Sequence, residues 1–229
     1  MSILGVHELG HYYASRRHNV DATLPYFIPA PSIIGTFGAF IKIKSGITSR
    51  KALFDIGLTG PICGFSLALP IFMLGLSLSG TTPVETTEGS LKLGNSILVY
   101  LLTKSVFPQG IVEGSEIMLH PIAFAAWIGF WVTALNLLPI GQLDGGHIVY
   151  ALFPRKHRLI SIIVFIALIP LGYLWLGWLI WALIIFLLLG FGHPPPIDTS
   201  TPLDKNRKIL GLFAFIIFIL IFTPQPFSF

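Results

Sequence analysis

The longest apolar run of the chain, residues 159–191, constrains the fold most strongly. Its 33 residues contain no charged side chain. As a single helix rising 1.5 Å per residue, this run would measure roughly 50 Å, which exceeds the ~30 Å hydrocarbon core of a bilayer. Pro170 and Gly172 lie near its middle. We therefore expect two short helices that cross a membrane as a tight pair.

Other apolar runs predict further membrane segments. Residues 53–79, 121–138 and 208–222 are candidate spans, and residues 1–15 are expected to be the second half of another. Only 10% of the chain is charged, against about 25% in soluble domains. The sequence thus predicts an all-α polytopic membrane protein with about six membrane segments, folded as a single domain over residues 1–229.

The distribution of basic residues predicts the orientation in the membrane. Segments 12–52, 154–158 and 193–208 hold 12 of the 14 lysines and arginines, whereas segment 80–118 holds two. Because positive residues collect on the cytoplasmic side, the first three segments should face the cytoplasm or its organellar equivalent. We therefore expect the chain to be an integral membrane protein that crosses the membrane several times.

The stretch HELGH places His7, Glu8 and His11 close together in apolar surroundings. On a helix, two histidines four residues apart lie on one face and can bind one zinc ion, while the adjacent glutamate acts as a general base. A solvated polar face is the alternative interpretation. Unpaired ionisable groups at membrane depth cost ~2.5–3.5 kcal/mol each or more, and a metal would compensate that cost. We predict one Zn²⁺ per chain.

A catalytic zinc site needs a third protein ligand, and the segment NLLPIGQLDGGH (136–147) offers one. Pro139 should end the preceding helix, and Gly141, Gly145 and Gly146 should form an irregular turn. Asp144 in that turn can point its carboxylate into a cavity. Alternatively, it is a helix-terminal aspartate at the membrane surface.

Two smaller features complete the candidate site. In segment 34–44, IGTFGAFIKIK, side chains of different character alternate along the chain, which predicts a short strand or hairpin element at the cytoplasmic side.

Among the other histidines, His147 could support the metal ligands or lie at the surface, and His193 could cover the site from a Pro-rich linker. His18 and His157 lie in basic loops and are expected to be solvated.

Together, HELGH and N-x-x-P-x-x-x-L-D-G resemble the site-2 protease family of intramembrane zinc metalloproteases, peptidase family M50. The stretches GTFGAFIKIK and GLTGPICGF (57–65) are similar to two further family regions. The arrangement is similar to the branch with plant chloroplast members and their prokaryotic relatives. The resemblance covers a catalytic core of residues 1–150, and the additional membrane helices of 151–229 match less specifically.

The resemblance implies a role for each motif residue. His7, His11 and Asp144 would bind zinc, and Glu8 would transfer protons during peptide hydrolysis. Asn136 would hydrogen-bond the substrate backbone or the developing oxyanion, although it could instead be a helix-breaking cap beside Pro139. A substrate strand would pair with the segment that contains Gly35, Thr36, Phe37, Gly38, Ala39 and Phe40.

The implied activity is a zinc metalloendopeptidase that cuts transmembrane or membrane-anchored proteins, with the lipid bilayer and its protein substrate as partners and no nucleic acid. The alternative is a non-catalytic or N-terminally truncated relative with a partner-binding role in the membrane. Glu8 argues against that alternative, because a structural zinc site has no need for a base. A metal transporter is disfavoured because segments 159–191 and 209–222 contain no Asp, Glu, His, Lys or Arg.

Overall fold

The computed structural model describes residues 1–29, 36–83, 92–108, 110 and 115–228, which are mostly helical. The described helices are α1 (Ser2–Arg17), α2 (Arg50–Ser77), α3 (Ile97–Val106), α4 (Pro121–Leu137), α5 (Asp144–Leu152), α6 (His157–Leu171), α7 (Gly177–Ile184, continued by a π-helical turn over Ile185–Leu189) and α8 (Lys205–Ile221). Short antiparallel pairs are formed by β1 (Tyr26–Pro29) with β2 (Thr36–Phe40), β3 (Gly80–Pro83) with β5 (Ser115–Met118), and β4 (Lys92–Leu93) with β6 (Phe227–Ser228). The prediction of a mostly helical chain with a small β element is confirmed.

Local sequence signals explain where the helices begin and end. The side chain of Ser49 accepts a hydrogen bond from the Ala52 backbone N–H at 3.2 Å, which caps the start of α2. Helix α4 ends at Leu137, two residues before Pro139, as predicted. The run 159–191 forms two helices, but the break lies at residues 172–176 and Pro170 remains in the last turn of α6.

Helix length bears on how many segments cross a membrane. Among the described helices, α2 alone has both the length and the apolar composition of a membrane span. Helices α3, α4, α6 and the α7 segment through Leu189 are apolar but shorter, at 10–17 residues. Helix length therefore does not establish six spanning segments.

Helix α2 lies at the centre of the fold and packs against α1, α4, α5 and α8. Its buried Phe54 and Phe72 belong to the same core cluster as Trp127 and Phe130 of α4. Burial of large aromatic side chains is a major source of folding free energy. Because α1 and α5 both pack on α2, the first motif and the Asp144 segment are brought into contact.

The turn that precedes α5 differs from the sequence-based expectation. Asp144, Gly145 and Gly146 belong to the first turn of α5, and the irregular backbone is confined to residues 138–143. A Cβ atom on Gly145 would lie 2.0 Å from the Leu137 carbonyl oxygen, and one on Gly146 would lie 2.3 Å from the Gly141 oxygen. These two glycines therefore let α5 lie close to the end of α4 and to the turn that precedes α5, whereas Gly141, at φ +53°, permits the turn itself.

The hairpin of β1 and β2 lies between α1 and α2 in the chain. Its register pairs Tyr26 with Phe40 and Ile28 with Gly38. The predicted strand is thus present over Thr36–Phe40, while Gly35 lies outside the described residues. Helix α1 contacts β2, which places the hairpin beside the HELGH motif.

Candidate metal centre

The three ionisable residues of HELGH lie on the buried face of α1. His7, Glu8 and His11 are 3%, 8% and 7% exposed, respectively. The two imidazole rings are one helical turn apart, with their centroids separated by 4.8 Å. This arrangement follows from the i, i+4 spacing, which places both rings on one side of the helix. A buried group of this kind is not the solvated polar face considered as the alternative.

Asp144 projects its carboxylate from the first turn of α5 towards both histidines. Its Oδ2 atom lies 3.2 Å from His7 Nε2 and 3.4 Å from His11 Nε2. Two ligands of one tetrahedral zinc, at bond lengths of 2.0–2.1 Å, are separated by about 3.3–3.4 Å. The Asp144 oxygen therefore lies at the spacing that a tetrahedral zinc requires from each histidine nitrogen, and the donor set of two imidazoles and a carboxylate fits this ion.

Glu8 offers a second carboxylate in the same group. One ligand atom each of His7, Glu8 and His11 lies within 4.8 Å of the others. The Glu8 carboxylate also faces the backbone N–H of Ile41, just beyond β2, as a hydrogen-bond acceptor. A zinc ion held by His7, His11 and Asp144 would need no oxygen from Glu8, whose carboxylate would then remain unligated.

A backbone carbonyl of α2 fixes the orientation of the His11 ring. His11 Nδ1 donates to the Ile56 carbonyl oxygen at 2.7 Å. With the proton on Nδ1, the lone pair of Nε2 is directed to the side where Asp144 lies. Metal-binding histidines usually donate their second ring N–H in this way, which sets the tautomer and raises ligand basicity.

Glycines of α2 create the space that the two imidazoles occupy. A Cβ atom on Gly60 would lie 2.1 Å from His11 Nε2, and one on Gly64 would lie 3.1 Å from His7 Nδ1. These glycines are four residues apart and therefore share one face of α2. Both belong to the segment GLTGPICGF, so the structure gives a physical reason for glycine at these positions.

A cavity of about 270 Å³ opens onto this group of side chains. Asn136, in the last turn of α4, lines the cavity with its amide Nδ2 3.4 Å from His7 Nε2. That distance is longer than a strong hydrogen bond. From the hairpin, Ala39 and Phe40 reach the same cavity. Gly38, two residues before Phe40, has a φ of +129°, a backbone conformation that favours glycine.

Two more histidines extend the site beyond the residues that the motifs identify. His147, one turn after Asp144 on α5, lines the cavity, and its Nδ1 lies 2.6 Å from His193 Nε2 in the linker before α8. His193 Nδ1 donates to the Pro194 carbonyl oxygen at 2.6 Å. Burial lowers the pKa of His193 to about 4, so the neutral ring accepts at Nε2 from His147 Nδ1–H. The linker thus orients a histidine at the cavity wall.

The expectation that His157 is solvated is wrong, and His18 is half-buried. His157 is 2% exposed and donates from Nε2 to the Gly141 carbonyl oxygen at 3.1 Å. His18 Nε2 lies 2.7 Å from Asp55 Oδ2. Both interactions join segments far apart in the chain, so the surrounding basic residues gave no sign of them.

The comparison with known families agrees with this geometry. The sequence model of peptidase family M50 matches residues 1–176, which include His7, Glu8, His11 and Asp144. The chain belongs to peptidase family M50. The match continues beyond the predicted core of residues 1–150 and through α6.

Several curated relatives of this M50 chain come from plants. One from Arabidopsis thaliana, named probable zinc metalloprotease EGY2, chloroplastic, is 31% identical over 228 residues, covering 99% of this chain and 41% of that protein. Probable zinc metalloprotease EGY1, chloroplastic, from the same plant, is 32% identical over 233 residues, covering 98% and 41%. The chain spans about two fifths of the length of these relatives. No solved structure matches the M50 chain.

Proposed function

We propose that this chain is an intramembrane zinc endopeptidase that hydrolyses peptide bonds in transmembrane or membrane-anchored proteins. The observation that carries the proposal is the position of Asp144 Oδ2, 3.2 and 3.4 Å from the Nε2 atoms of His7 and His11. Membership of family M50 and the printed names of the plant relatives support zinc peptidase chemistry.

In this proposal, His7, His11 and Asp144 hold one zinc ion per chain. Three protein ligands are typical of a catalytic zinc site, which keeps its fourth position for water or substrate. When bound, zinc polarises the scissile carbonyl and makes water nucleophilic at neutral pH. Ile56 keeps the His11 ring in the ligating tautomer through its carbonyl oxygen.

We assign the proton transfers to Glu8. Glu8 lines the cavity and lies three residues before His11 on α1. It takes one proton from the attacking water and delivers it to the nitrogen of the leaving amine as the C–N bond breaks. The carboxylate is thereby regenerated, and the products are a new carboxyl group and a new amine.

The Asn136 amide is suited to stabilise the negative charge that develops on the substrate carbonyl oxygen. Its NH₂ group is a donor at the cavity wall beside His7. A positioned donor at such an oxygen typically contributes about 3–4 kcal/mol to transition-state stabilisation. The alternative of a helix cap has less support, because Asn136 lies inside α4 and Leu138 is the C-cap residue.

The β1–β2 hairpin offers a surface for the substrate backbone. Ala39 and Phe40 of β2 line the same cavity as Glu8 and Asn136. A transmembrane helix hides its carbonyl groups in internal hydrogen bonds, so the substrate must unwind locally before attack. We propose that the unwound segment adds as a strand along residues 35–40, which places its backbone against the catalytic groups.

We further propose a multi-pass arrangement of six membrane segments in one domain of residues 1–229, with the catalytic core in 1–150 and the active site towards the cytoplasmic or stromal-equivalent side. The distribution of basic residues supports this orientation. Helices α6, α7 and α8 also expose apolar side chains that suit contact with lipid. Those exposed by at least 55% include Leu159, Ile163, Ile166, Ile180, Leu183, Ile209, Leu212 and Ile219.

The test is cleavage of a model transmembrane substrate by reconstituted protein, together with its zinc content, for wild type and Glu8→Gln. Glu116→Gln is the matched control, because Glu116 of β5 forms an ion pair with Lys92 of β4 and does not line the cavity. We expect stoichiometric zinc in all three proteins, and cleavage reduced about 10²–10⁴-fold only in Glu8→Gln. Wild-type cleavage by Glu8→Gln, or zinc without cleavage in every protein, would contradict the proposal, and the second result would favour a non-catalytic relative.

A further inference from the structure

A second cavity, of about 510 Å³, lies where α5 ends and α6 begins. It is separate from the metal centre and contains none of the proposed catalytic residues. Its lining consists of Arg50, Tyr150, Phe153, Pro154, Arg155, Lys156 and Thr199. Cationic side chains and an apolar wall therefore meet in one concave site.

The cations of this cavity lack acidic partners in the described part of the chain. Arg50, Arg155 and Lys156 take part in none of the ion pairs found there. The nearby carboxylate of Asp198 accepts hydrogen bonds from Ser200 and Thr201. Three positive charges that share a cavity repel one another, so an anionic ligand would be stabilised among them.

Arg50 is held rigidly at the cavity wall. Its Nε and Nη2 atoms donate to the Ala151 carbonyl oxygen at 3.2 and 2.7 Å. The guanidinium group has five N–H donors, so the remaining ones are available with their directions already fixed. The planar fork of arginine matches phosphate oxygens, and a preoriented fork loses little side-chain entropy on binding.

The start of α6 adds a further attraction for an anion. Lys156 is the N-cap residue of this 15-residue helix, with no side-chain cap and no acidic residue in the first turn. The backbone N–H groups at such an end carry a partial positive charge. The helix dipole and the three cationic side chains therefore act in the same direction.

The apolar part of the lining indicates where the ligand comes from. Phe153 is 52% exposed at the cavity. The loop that contains it carries Arg155, Lys156 and Arg158, the basic residues expected at the cytoplasmic face. Basic pockets between membrane helices on that face bind anionic lipid head groups. We propose that this cavity binds the phosphate of an anionic lipid head group, with an acyl chain lying against Phe153.

The test measures lipid retention by the detergent-purified full chain with native mass spectrometry, using phosphatidylglycerol and phosphatidylcholine as probes. The cavity variant is Arg155→Gln with Lys156→Gln. The matched control is Lys205→Gln with Lys208→Gln, which removes two exposed cations from α8, outside the cavity. Because this readout needs no peptide cleavage, its failure is distinguishable from failure of the proposed peptidase function.

We expect phosphatidylglycerol to bind roughly 25-fold more weakly to the cavity variant, since each cation near an anionic lipid contributes a factor of roughly five. The control should bind it like wild type, and phosphatidylcholine should bind weakly to all. Inorganic phosphate is added as a competitor: no displacement supports the lipid as the ligand, and displacement supports a phosphate site that also accepts a free anion. Equal weakening in both double variants, or unchanged binding in the cavity variant, would overturn the proposal.

Discussion

The substitution Gly60→Ala tests whether α2 shapes the metal centre. The added Cβ atom would lie 2.1 Å from His11 Nε2, the nitrogen that faces Asp144. Ordinary van der Waals contact begins at about 3.4 Å, so the ring or the helix must move by about 1.3 Å. Zinc ligands tolerate deviations of only about ±0.2 Å. The substitution should therefore displace one ligand beyond the range in which it can bind.

The expected loss is large because a displacement of 1 Å at a reacting centre costs about 10²-fold. We expect Gly60→Ala to lower zinc affinity and peptidase activity by at least this factor, although alanine favours a helix by about 1 kcal/mol relative to glycine. Gly64→Ala, whose Cβ atom lies 3.1 Å from His7 Nδ1, requires a shift of about 0.3 Å and should lose less than tenfold.

The assay is competition for zinc with a fluorescent chelator, on the monodisperse fraction of each purified variant. Gly5→Ala is the control, because its Cβ atom meets only the ring tip of Phe27 at 3.4 Å, although Gly5 lies two residues before His7. Wild-type affinity is expected for this control. If Gly60→Ala bound zinc as tightly as Gly5→Ala, the close packing of α2 on the His11 ring would not be a determinant of the site.

Three other substitutions separate metal binding, substrate positioning and support of the site. Asp144→Asn should lower zinc occupancy at least tenfold, because a neutral amide is a poorer zinc ligand than a carboxylate; full occupancy after chelator competition would refute its assignment. Phe40→Pro removes a backbone donor and restricts φ in β2, so turnover of a transmembrane substrate should fall with zinc unchanged; normal turnover would contradict strand addition. His193→Ala removes the acceptor of His147 Nδ1–H and should lower kcat about 2- to 12-fold at constant zinc content, whereas an unchanged kcat would exclude a role for this pair.

Features that depend on residues close together in the sequence could be predicted. The spacing of His7 and His11 sets their common face whatever surrounds the helix, and Pro139 limits α4 wherever that helix packs. The convergence of Asp144 with these histidines was an expectation from motif pairing, and the structure brings the three side chains together. Their role as zinc ligands stays a prediction.

Features that depend on contacts between distant segments could not be read from the sequence. The hydrogen bond from His11 to Ile56 joins positions 45 residues apart and uses a backbone carbonyl, which no side-chain pattern reveals. His157 was expected to be solvated because its neighbours are basic, yet it is buried, and the Gly141 carbonyl accepts its ring N–H. Gly145 and Gly146 were assigned to a turn, since glycine in a turn and glycine at a close helix contact look alike in a sequence.

Zinc K-edge X-ray absorption of the zinc-loaded wild-type chain identifies the atoms that bind the metal. We expect two imidazole ligands and oxygen ligands at about 2.0–2.2 Å, with no sulfur. Cys63 makes this informative, because its Sγ lies 3.1 Å from the Cβ position of Gly10, one residue before His11. A sulfur ligand at about 2.3 Å, or no imidazole signal, would contradict a centre formed by His7, His11 and Asp144.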